Sequence, residues 1–124
     1  MIVLLDTIAL IELQQAYRHS AFIQLTSVEV LDVVISEFQH PNYTDFIKII
    51  NNFGFQTIQT ESTWFNAARK YRDGTLSVQD ALNLHYAKTF ERILVTDEKP
   101  LQIKCQQEKI SNQQISWLIK QLTR

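Results

Sequence analysis

Five acidic residues in this 124-residue chain stand where their chemistry can be placed from the sequence: Asp6, Glu37, Asp80, Asp97 and Glu98. Asp6 follows the apolar run of residues 2–5, and Asp97 with Glu98 follows the run of residues 92–96. Asp80 falls in the first turn of a helix expected over residues 77–90, and Glu37 lies shortly before another expected over residues 43–52. Carboxylates brought together from distant segments repel one another unless a cation sits among them, and hard oxygen donors suit Mg²⁺ or Mn²⁺. Each residue also has a structural use. Asp6 before Thr7 can cap a helix, Ser77 to Asp80 spells S-x-x-D, Asp97 and Glu98 can complement a helix dipole, and Glu37 can be solvated. What favours a metal site is convergence, not any one residue.

Other reactive side chains group less well. His19, His40 and His85 have no metal-ligand spacing, and His85 lies on an apolar helix as a core residue. Cys105 has no neighbouring base in sequence and reads as a core thiol. The run Arg69, Lys70, Tyr71, Arg72 is a solvated helix face or, alternatively, a contact for phosphate and base.

The elements that must carry these residues follow from hydrophobic spacing. Short β-branched runs at residues 2–5, 55–58 and 92–96 read as strands, with helical spacing between them. Helices are expected at 62–72, where Trp64, Ala68 and Tyr71 recur and Gly74 follows as a stop, and at 77–90, 43–52 and 114–122. A shorter one follows Pro100, and residues 8–34 are helical in character without clear limits. The alternation is that of a three-layer α/β domain with a mostly parallel central sheet flanked by helices. In such a sheet the loops after strands collect at the carboxyl edge, which receives Asp6, Asp97 and Glu98. The 77–90 helix feeds the 92–96 strand, so its first turn, with Asp80, arrives at the same edge, and Glu37 comes close by.

Composition narrows the rest. A single cysteine forbids an internal disulfide, and the chain spells no zinc-binding cluster. Two glycines and two prolines are too few for the turns of a sandwich or barrel, and the glycines are too far apart for a phosphate loop. Apolar runs stop well short of a membrane span, and the start has no signal-peptide pattern, so a reducing cytoplasmic setting is expected. A net charge of −1 names no polyanionic partner by itself. One domain over residues 1–124 accounts for the whole length.

The acidic segments, taken in order, resemble the PIN domain. They are Met1-Ile-Val-Leu-Leu-Asp6-Thr7, Val33-Val34-Ile35-Ser36-Glu37-Phe38, Leu76-Ser77-Val78-Gln79-Asp80-Ala81 and Ile93-Leu94-Val95-Thr96-Asp97-Glu98-Lys99-Pro100-Leu101. The ending Trp117-Leu118-Ile119-Lys120-Gln121-Leu122 is similar to the last helix of small prokaryotic members, including VapC-type toxins. The resemblance implies a Mg²⁺- or Mn²⁺-dependent ribonuclease that hydrolyses phosphodiesters of single-stranded RNA. It implies Asp6 as principal ligand, Asp80 and Glu98 or Asp97 completing the shell, Glu37 positioning the attacking water, and Lys99, Arg69 and Arg72 flanking the RNA. An antitoxin protein and a homodimer are the implied partners. Two positions depart from the family pattern: Ile8 replaces a small polar residue, and Glu98 takes an aspartate's place with Asp97 one position earlier. Either the metal shifts, or Asp97 takes over, or the site has decayed into a module that binds RNA or protein.

Overall fold

The computed structural model describes residues 2–17, 27–36, 55–72 and 74–122. Its elements run β1 (Ile2–Leu5), α1 (Thr7–Tyr17), β2 (Ser27–Leu31), α2 (Asp32–Ser36), β3 (Gln56–Ile58), α3 (Ser62–Ala68), a 3-10 turn (Arg69–Tyr71), α4 (Val78–Phe90), β4 (Ile93–Val95), α5 (Lys99–Glu108), β5 (Asn112–Gln113) and α6 (Ile115–Leu122). All strand pairs are parallel, in the order β3-β2-β1-β4-β5. The chain therefore lays β2 and β3 to one side of β1 and then returns to place β4 and β5 on the other. With right-handed crossovers that reversal covers both faces of the sheet. α1 packs with α6, and α4 packs with α3 and α5. The expected three-layer α/β architecture is present, its sheet wholly parallel rather than mostly so.

Val3, Leu4 and Leu5 of β1 have no solvent exposure, which is why that strand is an unbroken apolar run rather than an alternating one. Leu4 aligns with Glu29 of β2 and with Leu94 of β4, so these three side chains share one face of the sheet. Tyr86 of α4 donates its hydroxyl to Glu29 Oε1 at 2.9 Å, which identifies that face as the one α4 covers. Arg92 Nε donates to the same oxygen at 2.8 Å, its guanidinium lies 5.8 Å from the Tyr86 ring centroid, and its Nη1 reaches the Phe90 carbonyl at 2.7 Å. A carboxylate only 5% exposed is thus matched by a cation and a hydroxyl, as a buried charge must be.

Several expectations change here. Residues 27–31, read within a helical stretch, form β2; Glu29 interrupts the unbroken apolar run that marks the other buried strands. The 62–72 helix gives way to a 3-10 turn after Ala68. The helix near Pro100 starts at Lys99, with Pro100 in its first turn where a missing N–H costs nothing. The helix expected over residues 43–52 lies outside the described residues. Gly74, at φ +95°, supplies the positive φ of the bend that precedes α4. α4 itself opens with a full capping box: Ser77 Oγ accepts from Asp80 N at 3.0 Å, and Asp80 Oδ2 accepts from Ser77 N at 3.4 Å. Cys105 is fully buried on α5, and burial pushes its thiol up to about 12.

Removing the cation from the Glu29 cluster leaves a charge stranded in the core. Arg92→Ala is expected to destabilise the fold by about 3 kcal/mol. Glu29→Gln, which keeps an acceptor for Tyr86, should cost about 1 kcal/mol. Urea unfolding of the two variants checks the order.

A candidate metal site at the carboxyl edge

The strand order reverses between β1 and β4, and at that point the carboxyl edge of an open parallel sheet has its crevice. Asp6 leaves β1 there, its backbone N–H bonded to the Val95 carbonyl of β4 at 3.4 Å. Alternation along the strand sends Asp6, two residues beyond Leu4, and Thr96, two beyond Leu94, toward the face that α4 covers. Asp6 is 1% exposed. Its Oδ1 accepts from Ala9 N at 2.7 Å and caps α1, so the capping role is real. Its Oδ2 is buried and has no hydrogen-bond partner.

That asymmetry is visible in the acidity. Burial, above all, raises the Asp6 carboxyl from 3.8 to about 6. The nearby Thr96 hydroxyl and the Ala9 N–H pull it down, though Thr96 makes no hydrogen bond to Oδ2, while the Glu98 and Asp80 carboxylates push it further up. Asp80 and Glu98, from two other segments, therefore both act on Asp6 at this edge. Thr96, fully buried, accepts from the Glu98 N–H at 3.0 Å through Oγ1 and fixes the turn that carries Glu98 into the N-cap position of α5.

Asp97 is placed differently. Its Oδ1 accepts from Ile115 N at 3.0 Å and holds the start of α6, so the two adjacent acids divide their work. Lys99 is exposed beside Glu98 at the start of α5. Arg69 and Arg72 are exposed and lie elsewhere. Lys70 between them acts on His85 and on Glu108, and Glu108 pairs with Lys88 at 3.0 Å. Lys88 is eight residues beyond Asp80 on α4, about 12 Å along its axis, so the basic turn is not gathered with the carboxylates. Ile8 is 37% exposed in the first turn of α1. Glu37 lies outside the described residues.

Among the described residues no three His, Cys, Asp or Glu side chains form a ready-made ligand set. Mg²⁺ does not need one, since it is commonly held by one or two carboxylates and keeps several waters. An orphaned, buried carboxylate oxygen, on a side chain that feels the charge of two further carboxylates, fits such an ion. Sequence reasoning missed Thr96 as the residue that seats this turn. It also missed Asp32, whose Oδ1 accepts from both the N–H and the hydroxyl of Thr60 and ties the ends of β2 and β3 together. A hydroxyl directly after an apolar strand was the available signal for Thr96.

Because the native Asp6 carboxyl titrates above its unfolded value, the folded state holds the extra proton between pH 3.8 and about 6. Stability from this group falls as pH rises through that window and stays lost above it. In a chelating buffer, Asp6→Asn should therefore stabilise the fold at pH 7.5 by up to about 3 kcal/mol. The gain should vanish near pH 4, as denaturation midpoints at both pH values will show. Asp97→Ala is expected to cost about 1 kcal/mol through the freed end of α6, measured in the same way at pH 7.5.

No protein-family model matches the chain, and no curated protein matches it. Solved structures do. PAE2754 from Pyrobaculum aerophilum superposes with a TM-score of 0.65 at 16% identity, covering 98% of both chains. A chain of VapBC-1 from nontypeable Haemophilus influenzae gives 0.61 at 18% identity, over 94% of this chain and 99% of that one. A chain of VapBC2 from Rickettsia felis, solved with a promoter DNA fragment, gives 0.58 at 14% identity, over 92% and 98%. At such identities the likeness speaks for the fold, and the chain has the PIN-like fold that its acidic segments resemble.

Proposed function

We propose that the chain is a divalent-cation-dependent ribonuclease of the PIN type, working on single-stranded RNA as the toxin of a toxin–antitoxin pair. The observation that carries this reading is the unpartnered Oδ2 of buried Asp6, set at the sheet's switch point against Asp80 and Glu98. Burying an ionisable oxygen without a donor is costly, and a hydrated cation on Asp6, with the negative charge of Asp80 and Glu98 nearby, relieves it. Bound there, Mg²⁺ or Mn²⁺ supplies charge neutralisation for a phosphate and acidifies water. Asp6 holds the ion. Asp80, fixed by its capping box, and Glu98, on the turn that Thr96 fixes, would add their negative charge around that ion. Glu37 takes the water-positioning role that the family resemblance gives it, and Asp97 supports the edge through α6 rather than as a ligand.

Among the described cations, exposed Lys99 beside Glu98 is the one best placed to meet an RNA phosphate, with Arg69 and Arg72 reaching only a more distant part of the RNA. VapBC structures, matched over more than nine-tenths of both chains, support an antitoxin protein as partner, and self-association as a homodimer belongs to the same reading. Among the described residues no helix is long and apolar enough to cross a membrane. Cytoplasmic action on RNA is part of the proposal.

Two measurements decide. Mn²⁺ should raise the melting temperature of wild type, by the equivalent of about 2.7 kcal/mol at a hundredfold excess over Kd. Asp6→Asn should abolish that response and lower cleavage of a mixed-sequence single-stranded RNA by about 100-fold or more. A melt that ignores millimolar Mn²⁺, with the RNA left intact, would replace this reading with that of a binding module.

A further inference from the structure

α4 carries one buried polar side chain that neither the packing nor the carboxyl-edge chemistry has used. Asn83 is 1% exposed among Ala81, Leu82, Leu84 and Ala87, and neither its Oδ1 nor its Nδ2 has a hydrogen-bond partner. A leucine would fill the same shape without an amide to satisfy. Asp80, Asn83 and Tyr86 follow one another at intervals of three and lie along one face of the helix. At one end of this row Tyr86 meets Glu29, which is level with Leu4 of β1. At the other end Asp80 acts on Asp6, two residues further along the strand. Asn83 sits between them, about 4.5 Å along the helix axis from each. Helical side chains lean toward the helix N-terminus, so its amide leans toward Asp80 and the carboxyl edge.

The other buried side-chain atom without a partner among the described residues is Asp6 Oδ2, at that edge. The two sets are complementary. A carboxylate oxygen only accepts, an amide both donates and accepts, and one water can donate to the first while accepting from Nδ2 of the second. Buried waters typically bridge orphaned polar groups in this way.

We propose that Asn83 is a positioning residue for the carboxyl edge: it shares an enclosed water with Asp6 Oδ2 and thereby fixes the direction in which that oxygen is presented. The consequence for cation binding rests on the function proposed above, but the water does not. Outer partners of metal ligands tune affinity by orienting the ligand, typically by about 10- to 100-fold.

A high-resolution crystal structure of the metal-free wild type tests the water directly and needs no variant. An ordered water within hydrogen-bond distance of both Asp6 Oδ2 and the Asn83 amide is expected, and its absence overturns the proposal. Mn²⁺ titration followed by thermal melts tests the positioning. Asn83→Leu should need about 10-fold or more Mn²⁺ for half its stabilisation. Asn83→Ser, which keeps a hydroxyl and leaves room for the water, should stay near wild type. An unchanged Mn²⁺ midpoint in Asn83→Leu overturns the positioning role even if the water is seen. If wild type itself ignores Mn²⁺, the metal reading fails, and the crystallographic result alone decides for or against Asn83.

Discussion

Burying a carboxylate in the gap between β1 and β4 sets a constraint to which most of the carboxyl edge answers. Asp6 must stay at that place because its Oδ1 starts α1, and removing it would leave the Ala9 N–H uncapped. Its second oxygen then has nowhere to go but inward, where nothing in the described protein donates to it. Thr96 and Ala9 ease the charge, while Glu98 and Asp80 aggravate it. The fold thus holds an unrelieved negative centre at the one position where a parallel sheet naturally opens a crevice.

The contrast with Glu29 shows that this is not a general failure to satisfy buried acids. Glu29 lies on the same face of the sheet, one strand over, and is buried almost as deeply. It has Tyr86 and Arg92 on a single oxygen, and the arginine is anchored in turn by the Phe90 carbonyl. The same helix, α4, supplies a hydroxyl to the satisfied acid at one end and a further carboxylate to the unsatisfied one at the other. A chain able to neutralise Glu29 so fully has left one oxygen of Asp6 without a donor and set two carboxylates to act on it.

The outline of this arrangement was legible in the sequence because strands buried on both faces leave unbroken apolar runs, and residues 2–5 and 93–95 are such runs. Once the strands were placed, connectivity alone brought Asp6, Asp80 and Glu98 to one edge. What escaped was polar and depended on tertiary partners. β2 was hidden by Glu29, whose burial makes sense only with Arg92, sixty-three residues away, in place. β5 is two polar residues, Asn112 and Gln113, with no apolar signal. Asp97 and Glu98 could not be told apart by spacing, since what separates them is a bond from Asp97 to the first residue of α6. Asn83 was absorbed into an apolar helix, where a single amide has no periodicity of its own.

Cys105 turns the burial of α5 into an observable. It is the chain's one cysteine, fully buried, with a thiol held near 12, so attack on a disulfide reagent needs both access and a thiolate that the native packing denies. Its modification must await an opening of α5. Glu98 forms the N-cap of that same helix, and Gln102, one turn on, donates to the Thr96 carbonyl at 2.9 Å. The rate of thiol exchange therefore clocks the loosening of α5 around Cys105, two turns from the N-cap that Glu98 forms, and gives the protein a built-in kinetic probe of that helix.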